Sequence, residues 1–266
     1  MLTIPSKRSG TPETILAELL AERSGVTVAP AAIPALVAGR IRQLGIDLES
    51  YASRVEADCL EHAVLVDLLR PAETAPVSVV QQDQDLIQRL IPWAVHRQRN
   101  LIRPTLRIWV VDDHDGAAAW SVAALLHRHV PEREIWEFSI LSTHPASEAM
   151  IRTRVGRYGE DRLAALNPEV RSQMVAADGT VRRELRDSVH AALLSLTGEW
   201  PIPPNLDLII CRHHLSRLPL AQGTAILGRM RKMLRPGGGS LHVGADEDLT
   251  PLDPCMRGLG HGVFVR

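Results

Sequence analysis

The rhythm of apolar and polar positions changes once along the chain, close to Pro104. Before that point apolar residues recur at helical spacing, as in Ile15, Leu16, Leu19 and Leu20 ahead of Gly25, with Thr11 or Thr14 placed to cap. Further helices are predicted over residues 31–44, closed by Gly45, and over 48–57 and 60–69. After the proline-broken stretch RPAETAPVSVV, another is predicted over 84–99. Residues 1–12 are polar and carry two prolines, which predicts a loose start. Beyond Pro104 short apolar runs take over: Leu106–Val111, Glu137–Leu141, Leu206–Cys211 and Ser240–Val243. Helical patterns separate them at Ala117–Arg128, Ser147–Arg154 and Ala221–Leu234. Strands alternating with helices predict a parallel, doubly wound sheet. The segment Val170–Leu196 breaks the alternation. Its Ala176-Ala177-Asp178-Gly179 is a hairpin-turn sequence, which predicts a small antiparallel insertion or a sheet edge. The expected fold is α/β: an all-helical domain over residues 1–100, then a Rossmann-like doubly wound sheet over 101–266.

The stretch that organises the second part is LRIWVVDDHDGAAAWSVAALL, residues 106–126. The β-branched run Ile108–Val111 reads as a buried strand, and AAAWSVAALLHR favours helix. Between them lie Asp112, Asp113, His114, Asp115 and Gly116. Strand, tight polar loop and helix form the first βα turn of a nucleotide-binding sheet, where loop backbone and helix N-terminus face the ligand.

Composition narrows the function classes. Of 266 residues, 45% are hydrophobic and 23% charged, enough for a sizeable core. A formal net charge of -1 argues against bulk nucleic-acid or anionic-membrane binding. No apolar run approaches the roughly 20 residues of a membrane helix, so no membrane insertion is expected. The opening MLTIPSKRSGTPE lacks an apolar signal core, and the three scattered cysteines, Cys59, Cys211 and Cys255, fit a reducing compartment. A cytoplasmic protein is the expectation.

Five stretches, in order, resemble the chemotaxis receptor methyltransferases (the CheR type). SGVTV followed by GRIRQLGIDLESYASRVE is similar to that family's N-terminal helical pattern. RIWVVDDHDGAAAWSVAALL sits on "iWsagcStGeEpYSlAmll", and RTRVGRY on "A..G.Y". LDLIICRHHLSRL sits on "fDlIfCRNvliYf", and MLRPGGGSLHVGADEDL on "lLkpGG.L.lGhsEsl". The resemblance implies a methyltransferase sheet, S-adenosylmethionine or S-adenosylhomocysteine as cofactor, and glutamates on receptor helices as substrate. It implies a cofactor-facing set of Asp112, Asp113, His114, Gly116, Ala117, Trp120, His144, Arg212 and His213. Arg40 and Arg42 fall on the helix equivalent to the family's basic docking helix, which implies a protein partner: a receptor-like helical segment or a signalling protein.

The departures from the family fall where its chemistry is done. Asp112 replaces a small residue of the loop and fills space needed for close backbone approach. The loop's two glutamates, one of which would hold the methionine ammonium, become Ala117 and Ala118. The acid that accepts both ribose hydroxyls at the end of the second strand falls on His144, and neutral imidazole offers one acceptor. The family's functional arginine falls on Ser78, its asparagine on His213, and the tyrosine beside the methyl-transfer site on Arg217. A lost charge-assisted hydrogen bond removes about 1.5–3 kcal/mol. The losses together remove roughly 5 kcal/mol, more than three decades of affinity at about 1.4 kcal/mol per decade.

These substitutions point to a degenerate, non-catalytic binding or regulatory module of chemotaxis-type signalling, with no cofactor if the pocket no longer works. An active S-adenosylmethionine-dependent protein-glutamate methyltransferase with a divergent pocket is the alternative. A nucleotide or cyclic-dinucleotide sensor is the second, since Arg212 with Arg217, and Arg152 with Arg157, are spaced to clamp a phosphate. The acidic loop with His114, and His144 with His213 and His214, have metal-ligand chemistry. The simpler reading is a solvated loop whose aspartates cap the next helix, and no metal is expected. Trp109 and Trp120 are expected in the core, with the Trp120 ring at the pocket edge.

Overall fold

The computed structural model describes residues 8–24, 27–58, 61–62, 64–65, 68, 96, 104–111, 115–130, 133–145, 147–164, 166, 168–196, 198–212, 214–215, 218, 220–244, 249, 256–260 and 262–266. Three helices open the chain: α1 (Pro12–Ser24), α2 (Ile33–Leu44) and α3 (Leu48–Ala57). A short 3-10 turn, Pro30–Ala32, leads into α2, and Gly45 at φ 66° ends it in the left-handed conformation. Asp47 caps α3, accepting from the Ser50 N–H at 2.8 Å. Leu16, Leu19, Leu20, Ile33, Val37, Tyr51, Val55 and Leu65 close one core among these helices. The expected helix over 60–69 is helical at every described position, and the one over 84–99 lies outside the described residues except for His96, which is helical.

The rest of the chain alternates. β1 (Thr105–Val111) leads to α4 (Ala117–His129), and β2 (Glu137–His144) to α5 (Ser147–Val155). Short helices α6 (Glu160–Leu163), α7 (Pro168–Met174) and α8 (Arg183–Arg186) precede β3 (Val189–Leu193). Then come β4 (Leu208–Ile210), α9 (Leu220–Met233), β5 (Ser240–His242), β6 (Arg257–Gly260) and β7 (Val263–Val265). The strands form one sheet in the order β3-β2-β1-β4-β5-β7-β6. β3, β2, β1, β4 and β5 are parallel, whereas β7 is antiparallel to both β5 and β6. The pleat sends Leu106, Ile108 and Val110 of β1 into one core with α4, and Trp109 and Val111 into the other with α9.

The hairpin expected at 176–179 is present. The Gly179 N–H donates to the Ala176 carbonyl at 3.0 Å, and Val175 bridges Val181 antiparallel. The segment also supplies the sheet edge as β3, parallel to β2. β2 runs three residues beyond the expected Leu141, because Ser142, Thr143 and His144 are polar yet buried. The β6–β7 hairpin was not expected from the sequence.

Candidate functional site

β1 lies between β2 and β4, and the crossovers to the two run to opposite sides. The carboxyl ends of these strands therefore form the crevice where doubly wound sheets bind ligands. Val111, His144 and Ile210 mark those ends, and Cys211 and Arg212 follow directly. Cys211 is buried, its N–H donating to the His242 carbonyl at 2.8 Å, and Arg212 is half-buried.

Gly116, Trp120 and His144 meet around one residue, Thr153 of α5. His144 is fully buried, with Nε2 at 3.0 Å from both Ser142 Oγ and Thr153 Oγ1. The Thr153 hydroxyl donates to the Ala149 carbonyl at 3.0 Å. The Trp120 indole N–H donates to the Thr153 carbonyl at 3.2 Å, and the ring is buried in the core. Gly116, at φ 80°, packs against the same side chain: a Cβ there would lie 2.5 Å from Thr153 Cγ2. Ala117 opens α4, and its N–H donates to Asp115 Oδ1 at 3.1 Å. Asp115 thereby satisfies one open N–H at the positive end of α4, whose N-cap is Gly116. Its other carboxylate oxygen accepts from Arg162 Nε at 2.7 Å, and its carbonyl from the Tyr158 hydroxyl at 2.8 Å. An open depression of about 450 Å³ lies between residues 157–163 and the hairpin tip at 177–179, and shares Tyr158 with this loop.

Asp112, Asp113, His114, His213, Arg217 and Ser78 lie outside the described residues. Among the described residues no three or more His, Cys, Asp or Glu side chains converge in a metal-binding group. The two arginines of α2 have different settings. Arg40 is paired with buried Glu61 through Nε–Oε1 at 2.8 Å and Nη2–Oε2 at 3.0 Å. Arg42 is exposed, its Nε 3.5 Å from the Ala38 carbonyl. Arg54 adds a third bond to Glu61 at 3.2 Å. The Arg40 bonds hold the Glu61 carboxyl below its ordinary range, and burial pushes the Tyr51 phenol up. Glu148, in the first turn of α5, adds its charge to the field on Arg40 and Tyr51.

Thr153, Ser142, Tyr158 and Arg162 were not singled out from the sequence as site residues. Tyr158 stands in RTRVGRY, and Thr153 is in the same stretch, so that motif held the signal for both.

The sheet and its switch point define a doubly wound α/β protein. The sequence pattern of the CheR methyltransferase SAM-binding domain matches residues 81–257, and the chain belongs to that family. A probable chemotaxis protein methyltransferase of Rhizobium etli is 27% identical over 174 residues, which are 63% of this chain and 64% of that protein. The chain therefore spans about 64% of the length of that curated relative. Among solved structures, the N-methyltransferase NodS of Bradyrhizobium japonicum WM9 with S-adenosyl-L-homocysteine is 13% identical, with a TM-score of 0.38, over 73% of this chain and 76% of that one. Magnesium protoporphyrin IX methyltransferase of Synechocystis PCC 6803 is 11% identical, with a TM-score of 0.34, over 90% of this chain and 77% of that one. Among the described residues no helix is long and apolar enough to cross a membrane.

Proposed function

We propose that this chain is a CheR-type binding or regulatory module that keeps a weak nucleoside cleft and does not transfer methyl groups. In this reading residues 1–100 form a helical docking domain and residues 101–266 carry the cleft. The observation that carries it is His144. At the strand end where a carboxylate would grip both ribose hydroxyls, a neutral imidazole offers one acceptor. Its Nε2 is already engaged by Ser142 and Thr153. Asp115 supports the same reading, since its carboxylate is committed to the Ala117 N–H and to Arg162. When bound, S-adenosylmethionine supplies an electrophilic methyl group. The residues that would hold it here are His144 and the backbone around Gly116 and Ala117, with Asp112, Asp113, His114, Trp120, Arg212 and His213 around them. The partner is a protein, such as a receptor-like helical segment in the cytoplasm, met by the α2 face that carries exposed Arg42. Arg40 supports that face from behind through Glu61.

Two measurements test the reading. Calorimetry with S-adenosylmethionine and S-adenosylhomocysteine should give dissociation constants weaker than about 100 μM. Radiolabelled methyl groups should remain on the nucleoside when the chain is mixed with receptor cytoplasmic helices. Tighter binding, or any label on protein, overturns the reading in favour of an active glutamate methyltransferase.

A further inference from the structure

α5 buries one side and leaves the other bare. Ala149 and Thr153 face inward, and Leu193 of β3 packs on Ala149. The outward side carries Ile151 and Val155, 53% and 55% exposed. They stand four residues apart, so they lie one above the other on a single face. Among the described residues six large apolar side chains are exposed, and these are the two that share a helix. Arg152 and Arg154 flank the ridge and are exposed as well. Basic residues in a last turn answer the helix dipole, which accounts for the arginines but not for the aliphatics between them. The acid of α5 is Glu148, in the first turn. Its Oε2 is buried, and its charge acts on Arg40 and Tyr51 of the helical domain. The outward face therefore presents positive charge around an apolar ridge.

The surroundings of this face decide what shape it can take up. Arg186 donates to the carbonyls of Arg154 and Val155 at 3.4 and 3.1 Å, which fixes the end of the helix. Arg154 in turn donates to the Ala191 carbonyl of β3 at 3.0 Å. β3 is an edge of the sheet. Ser188 and Leu194 bond inward to β2, so Ala191, at odd spacing from both, opens outward. An arginine laid over that carbonyl blocks the addition of a further strand. A helix along α5 meets no such block, and an apolar pair at i and i+4 is the anchor pattern that helices use.

We propose that the outward face of α5 docks an acidic amphipathic helix of a partner protein, with the partner's apolar stripe on Ile151 and Val155 and its carboxylates beside Arg152 and Arg154. The face lies outside the cleft and on a different element from Arg42, so the proposal rests on neither reading above. Charge sets the sign of the partner, since carboxylates complement the two arginines and cations would be repelled by them. Two aliphatics with a rim of arginines make a small interface, which goes with weak and transient binding.

The test titrates the full chain with a synthetic helix of about 20 residues, long enough to fold, with leucine and alanine along one face and glutamate on both flanks. Nuclear magnetic resonance should show the amides of α5 moving. Ile151→Ser/Val155→Ser should weaken binding at least about tenfold, and Arg152→Glu should weaken it too. Leu259→Ser removes an exposed aliphatic from the other edge of the sheet and should leave the affinity unchanged. The same peptide with lysine in place of glutamate should not bind. The proposal is overturned if the α5 amides stay still, if the lysine peptide binds as well as the acidic one, or if the double serine variant binds like the wild type. Shifts on α2 with α5 silent would place the helix on the Arg42 face, which keeps that reading and removes this one. Light scattering tests the other occupant. A wild-type dimer that becomes monomeric as Ile151→Ser/Val155→Ser would mean that a second copy covers the face, and would also overturn the proposal.

Discussion

Glu61 and His144 are both buried polar residues, 3% and 0% exposed, yet one is ringed by charge and the other by hydroxyls. Glu61 accepts from two arginines, Arg40 and Arg54, and ties α2 and α3 to the chain that follows them. His144 instead meets the hydroxyls of Ser142 and Thr153, which are neutral, and the direction of each bond depends on which atom holds which proton. The first arrangement is architectural, because a buried charge must stay paired or its removal from water goes uncompensated. The second is adjustable, because neutral donors and acceptors can exchange roles at the cost of about one hydrogen bond. The difference separates a cluster held by charge from one held by neutral hydrogen bonds at the carboxyl end of the sheet.

The comparison breaks most visibly if the charged cluster can be halved without harm. Glu61→Ala removes two bonds from Arg40, which is 19% exposed at the side chain, and one from Arg54. A loss of about 3 kcal/mol in unfolding free energy is expected, read by urea denaturation. The pH dependence follows in sign. Glu61 is held below its ordinary 4.5, first of all by the Arg40 hydrogen bonds, so its stabilisation is complete above 4.5 and lost as pH falls through the folded value. His62 is also lowered, from 6.5, chiefly by burial, so its share is complete above 6.5 and is lost first on acidification. Wild-type stability should therefore decline from 6.5 downward, and Glu61→Gln should make the decline below 4.5 shallower while leaving the His62 part in place. A variant that declines like the wild type below 4.5 would show that Glu61 does not anchor the helices.

A smaller effect separates two left-handed glycines. Gly45 ends α2 at φ 66° with nothing within 4 Å of where a Cβ would sit. Gly116 has φ 80° and Thr153 atoms at 2.5, 2.6 and 2.8 Å from that position. Gly45→Ala meets only backbone strain and should cost about 1 kcal/mol. Gly116→Ala meets strain and overpacking together and should cost about 2 kcal/mol. Truncating the obstacle in Gly116→Ala/Thr153→Ala should recover part of that loss. Equal costs for the two single variants would mean that Gly116 does not pack on Thr153.

How far these regions could be read from the chain follows the same division. β1, α4, α9 and the hairpin at 176–179 were legible, since each rests on apolar periodicity or turn chemistry within its own segment. The last three residues of β2 were not. Ser142, Thr143 and His144 look like loop, and only partners distant in sequence make them strand: Trp109 Nε1 reaches Thr143 Oγ1 at 2.9 Å, and Thr153 reaches His144. β3 was expected as an antiparallel insertion or a sheet edge. Its VHAAL carries a single β-branched residue, and its direction is set by pairing with β2. Of the site, Gly116 and His144 were legible as positions on a family pattern. Thr153 was not, because its role exists only where α5 crosses the end of β2.

The smallest effect sharpens the neutral side of the comparison. Ser142→Ala removes one of the two hydroxyls 3.0 Å from His144 Nε2 and leaves Thr153 in place. The ring nitrogen keeps a partner, so the loss in unfolding free energy should be under about 1 kcal/mol by urea denaturation. Thr153→Val removes the other hydroxyl together with its bond to the Ala149 carbonyl, so its loss should be the larger of the two. Equal losses would mean that the serine holds the ring as firmly as the threonine, and that the neutral cluster acts as one unit.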